Sequence, residues 1–442
     1  MKRLIKNFLR PNSQFELGNN LFLIGVFFLP SALPLSAIFL IISLAISLKE
    51  RKLFLLKDVY NYLLFIAIGL ILFSTINISF INVPSELLKY DTSLIWINLI
   101  NWLPTFLYYW GFQNYLVTNK QRIIFAKYLI AGSLPVILSF LFQKFFSFYG
   151  PYKTLFGLII WFQKPIINKG DSIAGLFSNP NYAASWIVLV LPFAAMLLKK
   201  ENLSILKKSI VFLFYLLFIY VILLTGSRNG FLGIIITALC FYSYKRILKF
   251  LIFLFSCFLI NNLLGFLIKE DSQFVKIYDP THLINKLTDL NTYIPRLEIW
   301  NSTLLRIIER PFLGWGGSTF SFLNRQNNPS LLLPKNMIDA QHAHNIALEL
   351  AHNFGIPLSI ILITFISLIL FRSWIYLFRE NSNTHFSIEK AFFVSASIAF
   401  LSHFSDLTLY DGKLNILIGI LLASLKCIID QKNSYSSTKK AS

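Results

Sequence analysis

Two arginines lie where their side chains could bind a phosphate group. Arg228 falls in a short polar segment, 225–230, between two apolar runs, and Arg296 opens a stretch with helical apolar spacing. A guanidinium is always charged, and its planar fork of donors matches phosphate oxygens. The alternatives are a snorkelling Arg228 that anchors its segment to lipid headgroups and a solvated Arg296 at a helix start. Competing cations lie nearby at Arg306, Arg310 and Arg325.

The segment 342–345 could supply a general base. Imidazole titrates near neutral pH, and His344 comes directly before Asn345, a favourable N-cap residue for a following helix. Structural histidines are the common alternative, and His342 is as close to the same site. A metal bound by His342, His344 and His352 lacks a completing carboxylate or thiolate, so we predict no metal and no other cofactor.

The apolar runs around these motifs predict a membrane protein. Of 442 residues, 56% are hydrophobic and only 14% are charged, whereas soluble domains carry about 25% charged residues. We predict an all-α polytopic membrane protein with about twelve transmembrane helices, each able to cross about 30 Å of hydrocarbon. The predicted spans are 18–30, 33–48, 59–80, 93–113, 123–143, 182–198, 209–225, 230–244, 248–267, 354–371, 391–405 and 414–429.

The distribution of positive charge predicts the orientation. The loops on one side, the N-terminus and the tail hold most of the lysines and arginines, whereas each short loop opposite holds a single one, Lys89, Arg228 or Lys413. This bias is the positive-inside pattern, so the net charge of +20 requires no nucleic acid. We expect both termini in the cytoplasm, an uncleaved first span, and a tight hairpin near Pro30 and Pro34.

The chain therefore divides into five predicted segments. They are a cytoplasmic N-terminus (1–17), transmembrane helices 1–9 (18–267), a large periplasmic loop (268–353), transmembrane helices 10–12 (354–429) and a cytoplasmic tail (430–442). Long connections often carry function. In the large loop, the spacing after Pro295 predicts an amphipathic helix on the membrane surface that ends at Arg310-Pro311. A second helix is predicted from Asn345 to Gly355.

At these motifs the sequence resembles the O-antigen ligase and polymerase family of bacterial membrane proteins. Asn229 departs from the family pattern, since many relatives have a small residue there. The resemblance rests on the order and spacing of five pieces over residues 175–370. They are Phe177-Ser178-Asn179-Pro180-Asn181-Tyr182-Ala183, Thr225-Gly226-Ser227-Arg228, Arg296 four residues before Trp300, Arg310-Pro311-Phe312-Leu313-Gly314-Trp315-Gly316, and His344-Asn345 with Leu348-Glu349 ahead of Gly355-Ile356-Pro357.

The resemblance implies a GT-C-like glycosyltransferase architecture in the bacterial inner membrane. Such a protein moves a glycan from undecaprenyl diphosphate to a hydroxyl of lipid A core, a glycan or another acceptor on the periplasmic face, without metal and with inversion. By resemblance, Arg228 and Arg296 would hold the diphosphate and His344 would take the acceptor's proton. The supporting candidates are His342, Asn345, Arg310, Trp300, Asn179 and Asn181.

Two other kinds of function compete with a ligase. A polymerase of the same family differs only in its acceptor, and the motifs do not separate the two. Some relatives are described as bicarbonate transporters, but the predicted spans hold few ionisable residues. The main exceptions are His403 and Asp406, near the outer end of the eleventh span. A scaffold that kept the fold without activity is disfavoured because Arg228, Arg296 and His344 are all present.

Overall fold

Apolar runs of the sequence form a bundle of helices in the computed structural model. The structure describes residues 14–50, 58–167, 171–198, 204–241, 294–327, 340–379 and 388–441. The predicted ninth span (248–267) and the first part of the large loop (268–293) lie outside the described residues. Within the described parts nearly all regular structure is helical, which confirms the prediction of an all-α polytopic membrane protein.

Besides short 3-10 and π segments, the described residues form fifteen α-helices and one β-hairpin. In chain order they are α1 (Gln14–Phe28), α2 (Leu33–Glu50), α3 (Val59–Ile76), α4 (Ser93–Asn98), α5 (Leu103–Gly111), α6 (Asn119–Phe145), β1 (Tyr152–Thr154), β2 (Ile159–Trp161), α7 (Pro180–Leu198), α8 (Ile205–Leu224), α9 (Arg228–Phe241), α10 (Ile294–Glu309), α11 (Phe320–Asn327), α12 (Ile346–Phe354), α13 (Ile356–Trp374), α14 (Ile388–Ser402) and α15 (Gly412–Ala441).

Six helical segments of the described chain are long and apolar enough to cross a membrane. Two of them form the centre, since α15 and α7 bury 89% and 72% of their most apolar windows inside the bundle. Shorter apolar helices, 33–49 and 228–241, accompany them, so the number twelve is not confirmed. The six segments are Val59–Ile81, Asn119–Phe145, Pro180–Leu197, Ile205–Leu224, Ile356–Phe378 and Gly412–Asn433.

The span predicted over 93–113 is not one continuous helix. Helix α4 passes into a 3-10 turn, Leu99–Asn101, and α5 begins afresh at Leu103. Pro104 stands at the start of α5, where its missing N–H costs nothing and its fixed φ suits a new helix. The hairpin expected near Pro30 is confirmed, because α1 ends at Phe28 and α2 begins at Leu33.

Ion pairs join the helices at one end of the bundle, which we call the far end. Arg122 is 2% exposed and its Nη2 lies 3.2 Å from Oε1 of Glu389 and 3.0 Å from Oε1 of Gln431. The Lys426 ammonium lies 2.5 Å from a carboxylate oxygen of Asp58. Buried charges need such partners, so α3, α6, α14 and α15 are held together here. The opposite end, where α8 ends and α9 begins, is the site end.

Candidate active site

A histidine–aspartate pair stands at the site end, just beyond α14. Nδ1 of His344 lies 3.0 Å from Oδ1 of Asp406, and Asp406 is buried. The sequence predicted Asp406 near the outer end of the span 391–405. In the structure α14 ends at Ser402, and Asp406 directly follows the turn 403–405.

The charge state of Asp406 fixes the tautomer of His344. Burial raises the pKa of the Asp406 carboxyl, but the hydrogen bond from His344 and the nearby positive charges, including Arg296, outweigh burial and hold this pKa below its ordinary value. An ionised carboxylate only accepts hydrogen bonds. Nδ1 of His344 therefore donates to Asp406, and its Nε2 keeps a lone pair that can accept a proton.

The backbone around His344 is held in an unusual conformation. His344 has φ +53°, in the left-handed region that L residues seldom adopt. Asn345 caps α12 as predicted, its side chain accepting from the N–H groups of Ala347 and Leu348 at 3.0 and 3.3 Å. The Asn345 amide also donates to the carbonyl of Phe404 at 3.1 Å. The Asn345 side chain thus joins the histidine segment to the segment that carries Asp406.

Both predicted phosphate-binding arginines line one cavity beside this pair. The cavity has a volume of about 160 Å³ and its wall includes Asp406. Nη2 of Arg296 lies 3.9 Å from Oδ2 of Asp406, the carboxylate oxygen that does not face His344. Arg228 is half-buried at the first position of α9. The remaining lining residues are Asn181, Gly226, Ser227 and Asn229.

The segment 225–230 positions Arg228 through local hydrogen bonds. Gly226 has φ +60°, and the Ser227 hydroxyl accepts from the N–H of Gly230 at 3.4 Å, so Ser227 caps α9. Asn229, the departure from the family pattern, accepts a hydrogen bond from the Ser405 hydroxyl at 2.7 Å. This bond joins the start of α9 to the segment that carries Asp406.

The two predicted asparagines at the start of α7 have different surroundings. Asn179 is exposed and its side chain accepts from the N–H of Asn181 at 2.8 Å, which caps α7 ahead of Pro180. Asn181 lines the cavity. The cap therefore directs one of the two asparagines towards the arginines.

Trp300 and a buried glutamate hold the histidine segment from behind. The indole N–H of Trp300 donates to the carbonyl of Ala343 at 3.0 Å, and the N–H of Ala343 donates to Glu349 at 2.8 Å. The Tyr410 hydroxyl donates to the other oxygen of Glu349 at 2.5 Å. Because Arg296 and Trp300 are one turn apart on α10, this helix positions both an arginine and the histidine.

His342 lies against His344 and is half-buried. The two ring centroids are 4.2 Å apart, and the ring of Tyr410 lies 5.7 Å from His342. Burial lowers the pKa of His342, and the neighbouring His344 lowers it further. Its buried Nδ1 has no hydrogen-bond partner within the described chain. His342 is therefore a neutral packing neighbour of His344 near pH 7.

Arg310 lies outside the cavity. Its guanidinium stands 5.3 Å from the Trp315 ring centroid and donates to the carbonyl of Asn82 at 3.4 Å. The loop after Arg310 pairs with the end of α12, since the N–H of Trp315 donates to the His352 carbonyl at 2.7 Å. Arg310 thus stabilises the loop that packs against the end of α12, outside the cavity. No three His, Cys, Asp or Glu side chains of the described chain form a metal-holding group.

Three residues that complete this arrangement received no site role from the sequence: Asp406, Glu349 and Tyr410. Asp406 stood out only as an ionisable residue near a predicted span end. Glu349 lay within a matched motif, and its position four residues after Asn345 in the predicted helix was the available signal. Nothing in the sequence indicated Tyr410, because its contact with Glu349 joins segments 61 residues apart.

The helices and this cavity together define an all-α polytopic membrane protein with a polar site at one end of its bundle. The family model described as O-antigen ligase matches residues 213–363, a segment that contains Arg228, Arg296 and His344. This match and the two relatives described next support the O-antigen ligase family for this chain, and they confirm the resemblance seen in the motifs.

Two rickettsial proteins are similar to the chain. It is 26% identical over 282 residues to a Rickettsia typhi protein named "putative polysaccharide ligase". It is 25% identical over 280 residues to a Rickettsia prowazekii protein of the same description. The chain spans 60% of the length of each relative, and the alignments cover 60% and 59% of the chain itself.

Proposed function

We propose that this protein transfers a glycan from a polyprenyl diphosphate carrier, undecaprenyl diphosphate in bacteria, to the hydroxyl group of an acceptor such as lipid A core. The observation that carries the proposal is the single cavity that Arg228, Arg296 and Asp406 share, with His344 bonded to Asp406. The names of the two rickettsial relatives agree with an acceptor that receives a polysaccharide.

The two arginines would bind and stabilise the leaving diphosphate. A charge-assisted hydrogen bond contributes about 1.5–3 kcal/mol, and its value grows as negative charge develops on the departing phosphate oxygen. Asp406 lies 3.9 Å from Arg296, so its carboxylate orients this guanidinium and leaves its other N–H groups for phosphate. Arg228 lines the same cavity.

His344 would act as the general base. The acceptor oxygen attacks the anomeric carbon, its proton passes to Nε2 of His344, and the bond from that carbon to the phosphate oxygen breaks with its electron pair leaving on the diphosphate. Attack opposite the leaving group inverts the anomeric centre. The positive charge that forms on His344 is stabilised by the Asp406 carboxylate at 3.0 Å. No metal ion takes part in this proposed sequence.

The orientation of the site follows from the charge bias of the sequence. With Arg228 and Lys413 on the side opposite most lysines, the cavity faces the periplasm and both termini are cytoplasmic. Lipid-linked glycans carry their own phosphates, so the donor needs no nucleotide on that side. The GT-C-like architecture and the inner-membrane location belong to this proposal.

The proposal is tested with purified protein in liposomes, a lipid-linked glycan donor and a lipid A core acceptor. His344→Ala should lower glycan transfer by about 10²–10⁴-fold, whereas His342→Ala should retain most of it. Undiminished transfer by His344→Ala at equal abundance would remove the base assignment. The product also separates the two acceptors, because one shift of the acceptor indicates a ligase and a ladder of repeats indicates a polymerase.

A further inference from the structure

A short β-hairpin at the site end presents apolar side chains that the described chain leaves uncovered. β1 and β2 are antiparallel, with Tyr152 opposite Trp161. At the turn between them, Phe156 is fully exposed and Leu158 is 68% exposed. Large apolar side chains grouped on a protruding turn are typical of a contact surface.

The turn of this hairpin has bulky residues at backbone positions where small or polar residues are usual. Leu155 and Phe156 have φ +50° and +56°, and Gly157 follows with φ +85°. Glycine, asparagine and aspartate are the residues that tolerate left-handed φ in hairpin turns. Because leucine and phenylalanine are unfavourable in this backbone conformation, their presence indicates that the two side chains make contacts outside the turn.

A chain of aromatic contacts joins the hairpin to the lipid-facing side of α6. Helix α6 is one of the candidate spans, and Phe142 and Phe146 near its end are 47% and 72% exposed. Ring centroids are 5.6 Å apart for Phe142 and Phe146, 6.4 Å for Phe142 and Phe148, and 4.7 Å for Phe148 and Tyr152. The apolar face that α6 turns to lipid therefore continues onto β1.

The base of the hairpin is fastened at the level of the helix ends. The indole N–H of Trp161 donates to the carbonyl of Ser31, between α1 and α2, at 2.8 Å. Gln143 in the last turn of α6 donates to the carbonyl of Lys164 at 2.6 Å. Tryptophan and tyrosine are the residues enriched at the membrane–water interface. The exposed Lys153 adds a positive charge that suits anionic headgroups.

We propose that the tip of this hairpin, residues 155–158, inserts into the leaflet of the bilayer on the site side, with anionic phospholipid as its partner. The continuous aromatic face and the fixed base hold the tip beside lipid rather than beside another protein. This interaction is independent of the glycan-transfer proposal, because none of the hairpin residues lines the cavity.

The test is the depth of a nitroxide spin label, read from its collisions with oxygen and with a water-soluble nickel complex. Phe156→Cys is labelled in the full chain after its three cysteines are replaced by serine, and the protein is reconstituted alone in phosphatidylglycerol-containing liposomes. Lys153→Cys and the water-exposed Gln341→Cys serve as matched controls.

The oxygen-to-nickel collision ratio at position 156 should be several-fold higher than at position 341, with position 153 between them. Equal nickel access at 156 and 341 would overturn the proposal, because the tip would then lie in water. Glycan transfer is measured on the same labelled samples. Because the hairpin residues do not line the cavity, the depth of the label tests insertion and the transfer rate tests the proposed function separately.

Discussion

Asp406 connects the two chemical parts of the site. One carboxylate oxygen faces His344 at 3.0 Å and the other faces Arg296 at 3.9 Å. The same side chain thus fixes the tautomer of His344, the proposed base, and orients Arg296, which we propose binds the diphosphate. This double role makes Asp406 the most informative residue to change.

Asp406→Asn should lower the rate of glycan transfer by about 10²-fold or more, because an amide no longer fixes the imidazole tautomer or stabilises its protonated form. The measurement is the initial rate at saturating donor. Asp411→Asn is the matched control, since Asp411 caps α15 through the N–H groups of Lys413 and Leu414, and asparagine caps equally well. Equal losses in both variants would show that Asp406 acts through folding alone.

The sequence predicted the residues of this site better than their partners. Arg228, Arg296, His344 and Asn181 meet at one cavity or beside it, as their common side of the membrane suggested. Arg310 was grouped with them because of its motif, yet it contacts Trp315 and Asn82 instead. A motif shows which residues are close in sequence, whereas a contact between distant segments, such as Arg310 with Asn82, depends on how the helices pack.

At the scale of elements, the junction between α12 and α13 supports the site. Gly355 ends α12 with φ +94° and ψ 159°, a conformation open to glycine, and its neighbour Ile356 donates an N–H to the carbonyl of Pro311 at 2.7 Å. A Cβ at Gly355 would collide with the carbonyl oxygen of Phe312. The glycines of this motif thus allow a loop to pack directly on a helix end.

Gly355→Ala should destabilise the protein by about 2 kcal/mol or more, since both φ and the carbonyl contact oppose a side chain. Gly69→Ala in α3 is the control, because nothing lies within 4 Å of its added Cβ, and it should change stability by less than about 1 kcal/mol. Thermal unfolding in detergent measures both. A Gly355→Ala protein as stable as Gly69→Ala would contradict the assigned packing.

Helix α12 also gives the fold a dependence on pH. Burial lowers the pKa of His352 from 6.5, partly offset by its hydrogen bond with Asn353 and the charge of Glu349. A lowered folded-state pKa means that the stabilisation is complete above pH 6.5 and is lost as the pH falls towards the folded-state value. Protonation of the His352 ring is less favourable in the folded protein than in the unfolded chain, so acid shifts the equilibrium towards unfolding.

Acidification from about pH 7.5 to about pH 5.5 should therefore lower the free energy of unfolding, and with it the unfolding midpoint. Below the unfolded-state pKa, the free energy of unfolding should fall by about 1.4 kcal/mol per pH unit for each such histidine. His352→Asn should flatten this slope, whatever it does to stability at pH 7.5, and His342 supplies a second contribution of the same sign. An unchanged slope in His352→Asn would show that this histidine is not protonated on unfolding.

Some elements were predictable and others were not. The N-cap at Asn345 and the helix from Ile294 to Glu309 followed from local capping and periodicity. The break between α4 and α5 was missed because the run stays apolar through it, so hydropathy alone does not register the turn. The β-hairpin was missed because its strands are three residues each, too short for an alternating pattern.

In the whole molecule, polar groups collect at the two ends of an apolar bundle. At the far end the buried Arg122 and Lys426 pair with the partly exposed carboxylates of Glu389 and Asp58. At the site end the charges line a cavity. The structure confirms the polytopic class, and the side that faces the periplasm stays a prediction from the charge bias.

The most direct measurement follows the fate of the donor. Purified protein in liposomes containing EDTA receives a lipid-linked glycan and an acceptor, and both products are quantified together. We predict equal amounts of polyprenyl diphosphate and glycosylated acceptor, an inverted anomeric linkage, and no dependence on added divalent metal. Release of polyprenyl monophosphate, retention of configuration, or activity that EDTA abolishes and a divalent metal restores would contradict the account.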